Sequence, residues 1–384
     1  MAQYQNSFGQ FQLKRIPDTD KNLQAWNSAD SYLLKELFEQ MDSEALHKAG
    51  ILILNDDFGA LTVSLARFSC DSLSDSYVSQ QAAVNNIQSS CPQFIKQVNF
   101  LNSTETLNKS YDLVLFKIPK SLAFLQYQMR NLLPYIHENT KIIGAIMAKN
   151  LHHSVIEILD NYFSSVQVSL AWKKARLIHL VPSVPATAAI NSDIRPDISE
   201  FLLDDGSRIF GLSNVFSRNR LDIGARFFLQ HFPEPSEIAA QSIIDLGCGN
   251  GILSLKAAQY FPDAQITAVD ESYMAVESAR MTLADNVDKL SRFEFICANS
   301  LQQFESEQAD LIICNPPFHQ NHTVGDAVAW EMFKQSKRVL KDRGELWIVG
   351  NRHLAYHLKL KKLFGNQFLV ATNNKFVILK AINN

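Results

Sequence analysis

IIDLGCGNGILSLKAAQYF, residues 243–261, runs from an apolar strand pattern through a glycine-dense turn into a helical pattern. Gly247, Gly249 and Gly251 permit positive φ angles and let the backbone come close to a ligand. A nucleotide-like molecule can then lie over the strand's carboxyl end, beside the helix N-terminus. A glycine-rich turn alone is shared with dinucleotide enzymes. Here the spacing is G-x-G-x-G rather than G-x-G-x-x-G, and Asp245 stands within the strand just before the turn. A carboxylate at that point suits a cofactor with a cationic amino group, as S-adenosylmethionine has, better than a pyrophosphate.

Downstream, QITAVDES (265–272) reads as a second strand ending in Asp270, where an acid can accept both ribose hydroxyl protons of an adenosine. The competing role for Asp270 is a helix N-cap before SYMAVESARMTL. Asn299 and Ser300 end the next strand, where adenine-contacting side chains usually lie. Cys248 inside the turn and Glu271 beside Asp270 complete the candidate cofactor set. Upstream, Asp222 and Gly224 open a helix, ARFFLQHF, expected either to cross the cofactor's methionine end or simply to pack on the sheet.

DLIICNPPFHQ (310–320) is the most specific signal. A buried strand ends at Asn315, and Pro316 and Pro317 then hold an extended turn in which neither residue donates an N–H. The turn offers the Asn315 side-chain carbonyl and the Pro316 main-chain carbonyl as acceptors, a pair suited to an exocyclic NH2 group. Phe318 is placed to stack on a target base, or else packs in the core. His319 and His322 read as loop histidines.

The chain repeats itself. ILILNDDFGAL (51–61) lines up with residues 243–253, LSDSY near Asp75 with AVDESY near Asp270, and LNSTETL (101–107) with ANSLQQF (298–304). YDLVLFKIPK (111–120) lines up with ADLIICNPPF (309–318), and LAWKKARLI (170–178) with ATNNKFVIL (371–379). The separation drifts only from 192 to 201 residues, which implies a tandem duplication of one α/β domain with a parallel sheet. The segment 181–199, rich in Pro, Ala, Ser and Asp, reads as a linker or a surface crossing, giving domains 1–190 and 191–384 with FLLDDGSRIFGLSNVFS (201–217) as an entry hairpin or cover to the second. In the first copy NDDFG replaces GCGNG, and KIPK puts Lys117 where Asn315 stands. A cation there donates where an acceptor is needed, so the first domain is expected to bind no cofactor and methylate nothing.

The 384 residues, 46% hydrophobic and 20% charged, form an ordinary globular balance. Five scattered cysteines without a C-x-x-C pair exclude a zinc or disulfide framework, so no metal is expected. No membrane-length apolar run is present, and a cytoplasmic monomer is expected. A net charge of −3 rules out a protein that coats nucleic acid with its whole surface. RNA contact would come from patches: Trp172, Lys173, Lys174 and Arg176 in the first half, and Arg352, Lys359, Lys361, Lys362 and Lys375 in the second. Each of these is equally readable as solvated surface.

From LQAWNSADSYLL (23–34) through NVFSRNRLDIGARFF, DLGCGNG, VDESYMAV, CNPPFHQ, AWEMF and GNRHL to ATNNKFV, the chain resembles the bacterial ribosomal RNA guanine-N2 methyltransferases (RlmG/RsmC type), in particular those acting on the large subunit. The resemblance implies two tandem class I (Rossmann-like) methyltransferase domains, the first degenerate. It also implies N2-methylguanosine formation on 23S ribosomal RNA from S-adenosylmethionine, on protein-free RNA. The family's cofactor motifs fall on Asp245, Gly247, Gly249, Gly251 and Asp270, and its Asn-Pro-Pro-Phe on Asn315 to Phe318. The alternatives are a small-subunit 16S enzyme, a protein glutamine-N5 methyltransferase (which would carry Tyr where Phe318 stands), a non-catalytic ribosome-assembly factor and a dinucleotide oxidoreductase.

Overall fold

A computed structural model describes residues 2–18, 23–183, 197–317 and 322–384, with the side chains of 322–324 outside the description. The chain divides into two compact units, Met1–Asp197 and Ile198–Asn384. The sequence boundary near Asn191 lies outside the described residues, as do Phe318 and His319; the side chain of His322 does too.

The first unit opens with a hairpin, β1 (Ala2–Asn6) and β2 (Gly9–Leu13), and its main sheet contains β3 (Ile51–Leu54), β4 (Cys70–Ser74), β5 (Val98–Asn102), β6 (Tyr111–Lys117), β7 (Ile136–Met147), β8 (Phe163–Val168) and β9 (Ala175–Pro182). The second opens with the expected hairpin, β10 (Ser199–Leu202) and β11 (Arg208–Gly211). Its sheet contains β12 (Ser242–Leu246), β13 (Gln265–Asp270), β14 (Phe293–Cys297), β15 (Ala309–Cys314), β16 (Leu340–Asn351), β17 (Phe368–Thr372) and β18 (Phe376–Ile382).

The sheet orders are β5-β4-β3-β6-β7-β9-β8 and β14-β13-β12-β15-β16-β18-β17, the same permutation twice. Five strands run parallel and a terminal antiparallel hairpin inserts its second strand beside the fifth. Even the irregularities repeat: the register slips between Tyr111 and Leu113 in one sheet and between Ala309 and Leu311 in the other. An aspartate follows each slip point. Asp112 accepts the Gly50 N–H, and Asp310 accepts the Gln241 and Ser242 N–H groups, so each ties the foot of its strand to the neighbouring strand. The tandem α/β duplication is therefore visible in the hydrogen bonding as well as in the topology.

Parallel strands covered on both faces are apolar throughout, and β3, ILIL, is buried at all four positions. The crossover helices start on short polar caps. Ser76, Ser121, Asp222 and Ser272 each accept a main-chain N–H from the first turn, contributing about 1 kcal/mol apiece. The cap of the helix Tyr273–Asn286 is thus Ser272 rather than Asp270, which frees Asp270 from the competing role weighed in the sequence.

Candidate active site

The turn after β12 is built on its three glycines. Gly247, Gly249 and Gly251 have φ of 80°, 53° and 79°, a left-handed run that side chains with a Cβ adopt at a cost. A Cβ on Gly249 would meet nothing within 4 Å, so the backbone faces open space there. A Cβ on Gly251 would lie 2.8 Å from Ala279 Cα, in the helix behind the turn. Gly249 thus leaves room beside the backbone, whereas Gly251 is required for packing.

Asp245 is fully buried in β12 just before this turn. Its Oδ2 accepts from the Ser254 hydroxyl at 2.6 Å, while Oδ1 has no partner among the described residues. Burial pushes its carboxyl up to about 7; Ser254 pulls the other way and the nearby Asp270 adds to the rise. A carboxylate held this close to neutrality, with one oxygen unsatisfied, fits an incoming cationic group. The signal for Ser254 was absent from the motif, because it lies one helical turn inside the following helix.

Asp270 ends β13 and accepts the Gly249 N–H at 3.0 Å through one oxygen and the Ser272 N–H at 3.0 Å through the other. It fastens the glycine turn to the second strand and remains half-exposed. Glu271 beside it is exposed. Asn299 and Ser300 follow β14 on the same sheet edge; Asn299 bonds Gln302, Ser300 has φ of 56°, and the Ser300 hydroxyl has no partner among the described residues. Cys248 and Cys314 are buried, and burial pushes both thiols well above their ordinary range, so they behave as small apolar side chains rather than nucleophiles.

β12 and β15 pair in register Asp245 to Ile313 and Leu246 to Cys314, which sets Asn315 beside Gly247. A Cβ on Gly247 would stand 3.8 Å from the Asn315 main-chain oxygen and 3.6 Å from Met332 Cε. The Asn315 Oδ1 is buried and makes no hydrogen bond among the described residues. Pro316 is buried and Pro317 exposed. The sheet thus gathers Asp245, the glycine turn, Asp270, Ser300 and Asn315 at one edge, with three buried oxygen atoms that have no partner among the described residues.

Gly224 is buried in the first turn of the helix Ile223–Leu229, whose Ala225 and Phe228 join the core. That face packs on the sheet, as the simpler of the two expectations had it. Among the basic candidates, Arg352 and Lys375 are brought together, since the Arg352 N–H donates to the Lys375 carbonyl at 3.0 Å. Lys361 is exposed, Lys362 lies over the Trp330 ring and Lys359 pairs with Asp326. Trp172 is half-buried against Tyr32 with Lys173 over its ring, and Lys173 and Lys174 form the tip of the β8–β9 hairpin at φ of 46° and 65°. Arg176 is tied within that hairpin, donating to the Ser169 carbonyl.

The first unit shows what the same edge becomes with other side chains. Asn55, in place of Gly247, keeps the left-handed turn at φ of 61° and fills the space with an amide bonded to the Lys117 carbonyl and to Gln128. Ile53 stands for Asp245. Lys117, in place of Asn315, turns its ammonium inward onto Asp30 at 2.6 Å and Asp57 at 3.4 Å. Burial lowers its pKa, but Asp30, Asp57 and Asp56 together more than offset this and hold the ammonium above its ordinary range. The register also corrects one alignment. Ser74 pairs with Asn102 as Asp270 pairs with Cys297, so Ser74 is the counterpart of Asp270, and Asp75 that of Glu271. Matching one aspartate to another had slipped the strand by a residue.

Among the described residues no group of three or more His, Cys, Asp or Glu side chains is placed to hold a metal, and no helix is long and apolar enough to cross a membrane.

Residues 1–184 match the family model of the RLMG N-terminal domain, and residues 206–380 that of the methyltransferase small domain. The chain is similar in structure to the T. thermophilus 16S rRNA N2 G1207 methyltransferase (RsmC), solved in complex with AdoMet and guanosine, with a TM-score of 0.75 and 18% identity over 100% of this chain and 98% of that one. Two further solved structures overlap part of it. One is a predicted O-methyltransferase of Agrobacterium tumefaciens (TM-score 0.32, 19% identity, 37% of this chain and 74% of that one). The other is a methyltransferase of Pyrococcus furiosus (TM-score 0.35, 14% identity, 42% and 82%).

Proposed function

This chain belongs to the RlmG-type methyltransferases, an RLMG N-terminal domain followed by a methyltransferase small domain, and from that premise we propose that it methylates the exocyclic N2 of a guanine in 23S ribosomal RNA. The observation that carries the reading is the buried Asn315 Oδ1 at the end of β15, beside the glycine turn, which has no partner among the described residues.

S-adenosylmethionine, when bound, supplies an electrophilic methyl group on a sulfonium. Asp245 would meet the cofactor's amino group with the oxygen that has no partner among the described residues, and Asp270 would accept from the ribose hydroxyls. Asn299 and Ser300 would line the adenine side, and the glycine turn would let the backbone approach. The amine of guanine is a poor nucleophile because its lone pair is delocalised into the ring. Asn315 Oδ1 and the Pro316 carbonyl accept its two N–H groups, favour a pyramidal nitrogen and aim the lone pair at the methyl. The methyl would pass from the sulfonium to the amine by direct displacement, leaving a thioether, and the acidified amine would give its proton to water. No strong base is needed; positioning and electrostatics supply most of the acceleration. Phe318 is assigned to stacking on the guanine.

Guanine N2 lies in the minor-groove edge of a paired base, so the target is single-stranded or extruded. Protein-free RNA suits that requirement. The first domain, with its cofactor edge filled by its own side chains, is assigned to docking RNA through Trp172, Lys173 and Lys174. Arg352, Lys361 and Lys375 assist from the second.

The test is label transfer from S-adenosylmethionine to protein-free 23S RNA, 16S RNA, assembled subunits and release factors, with nucleoside analysis of the product. N2-methylguanosine in 23S RNA is expected. Label in 16S RNA would move the assignment to the other subunit, and label in a release factor would replace it with glutamine methylation.

A further inference from the structure

We propose that Asn351 reads the target base as guanine, its side-chain amide pairing with the ring N1–H and O6 beside the amine to be methylated. The inference rests on the reading of a guanine N2 as substrate and adds to it the group that selects that base.

Asn351 ends β16, which runs parallel to β15 on the side away from β12. Ile313 pairs with Trp347, so Val349 stands level with Asn315 and Asn351 lies one pleat repeat beyond it. Trp347 and Val349 join the same core cluster as Ile313, and alternation brings Asn351 to the sheet face that Asn315 shares. Across the carboxyl edge the strand order gives Ser300, Asp270, Gly247, Asn315 and then Asn351. With S-adenosylmethionine over the first three and the amine at the fourth, the rest of the base falls to the fifth.

Among the described residues the fold makes no use of this amide. Asn351 is 6% exposed and its Oδ1 is enclosed without a partner among them, and a buried acceptor left so is destabilising. It precedes the 3-10 turn Arg352–Leu354 yet makes no capping bond to it, the usual duty of an asparagine in that position. The first unit supplies the control. There β7 ends at Met147, which pairs with Ala175 as Asn351 pairs with Phe376, and which packs against the core. The copy that carries Lys117 for Asn315 thus carries a thioether for the second amide as well. The Asn351 nitrogen is not enclosed, and it too has no hydrogen bond among the described residues. With neither end held, rotation about Cβ–Cγ turns either one outward.

Guanine, adenine and cytosine all carry an exocyclic amine, and the ring nitrogen beside it on the pairing edge tells them apart. In guanine that nitrogen is a donor, N1–H, followed by the acceptor O6. Adenine N1 and cytosine N3 are bare acceptors, followed by a C–H and a carbonyl respectively. An amide accepts N1–H through its oxygen and donates to O6 through its nitrogen, so guanine satisfies both ends. Adenine and cytosine offer it one bond at most.

The experiment uses the full chain saturated with S-adenosylhomocysteine, and titrates guanosine and 2-aminopurine riboside by ligand-observed NMR. Both nucleosides keep the N2 amine, but the second lacks N1–H and O6. The wild type is expected to bind guanosine at least about tenfold more tightly, the scale of one or two well-placed hydrogen bonds. Asn351→Met installs the side chain that the first unit carries at this place. It is expected to weaken guanosine about tenfold, leave 2-aminopurine riboside unchanged and so erase the preference. Its affinity for S-adenosylhomocysteine by calorimetry should equal the wild type's, which reports an intact second domain. The proposal is overturned if wild-type guanosine does not bind, or binds no tighter than 2-aminopurine riboside, or if Asn351→Met keeps the preference. Should the variant fail to fold, the wild-type comparison of the two nucleosides still decides. A wild type that forms N2-methylguanosine in RNA while Asn351→Met keeps the guanosine preference sinks this inference alone. A wild type that forms none sinks the functional reading, and this inference with it.

Discussion

At the carboxyl edge of the second sheet, Asp245, Ser300 and Asn315 each keep an oxygen without a partner among the described residues. At the same edge of the first sheet, Asn55, Asp56 and Lys117 are all bonded to one another's neighbours, through Gln128, Thr62 and Asp30. The backbone beneath is one design, repeated down to its register slips. Buried acceptors left open are destabilising; on the proposed function they persist in the second unit because a ligand completes them, and the first unit, with other residues there, satisfies its edge with its own groups.

The largest effect separating the two edges is expected from Asn315→Ala. Methyl transfer should fall by about 10²–10³, the scale for removing one positioned transition-state hydrogen bond, while cofactor affinity measured by calorimetry stays within a few-fold. Unchanged turnover would remove Asn315 from the chemistry.

Lys117→Met probes the other edge. It leaves Asp30 and Asp56 buried without their cation and should destabilise the first unit by about 3–5 kcal/mol. Denaturation of the full chain should show the first unit's transition moving and the second's standing still. Lys117→Asn should still gain no cofactor binding, since Ile53 and Ser74 stand where acids are needed; binding gained would break the comparison outright.

Asp270→Ala removes both the proposed ribose acceptor and the Gly249 tether, and should weaken S-adenosylmethionine by about tenfold to a hundredfold. Equal affinity by calorimetry would relocate the ribose.

A pH series sharpens the contrast further. Asp245 titrates at about 7 in the fold against an ordinary 3.8. Between pH 4 and 7 the folded chain keeps a proton that the unfolded chain has given up, so stability without cofactor falls as pH rises through that window. A cationic ligand beside the carboxylate reverses the shift. Binding below pH 7 should therefore release a proton, with affinity rising up to about tenfold per pH unit and levelling off above 7. Methylthioadenosine, which lacks the amino group, should give a flat profile. A flat profile for S-adenosylmethionine as well would detach Asp245 from the amine.

The smallest effect is expected from Trp172→Ala. It should raise KM for RNA about fivefold, the low end of a stacking contact, without altering kcat. An unchanged KM would return Trp172 to a packing role against Tyr32.

The sequence was most readable where chemistry is local. Three glycines, an aspartate before them and Asn-Pro-Pro at a strand end each announce themselves within a few residues, and the duplication is legible because loop lengths barely drifted. What escaped is long-range. Asp30 caps a helix through one oxygen and holds Lys117 through the other, across a separation of 87 residues. Ser254 and Gln128 acquire their roles only when a helix is laid on the sheet. The Ser74 register escaped for a different reason: residue type is a poor guide to position when a strand can slip by one.

Gly59 survives in the first copy although the turn around it has lost its other glycines. A Cβ there would come within 2.6 Å of Ala83 Cα, the counterpart of the 2.8 Å approach at Gly251. The third glycine is accordingly a spacer that lets two helices nest, indifferent to whether anything is ever bound. Anyone grading pseudoenzymes by how many motif glycines remain should discount it, and anyone grafting this turn into a new scaffold must bring along the alanine opposite.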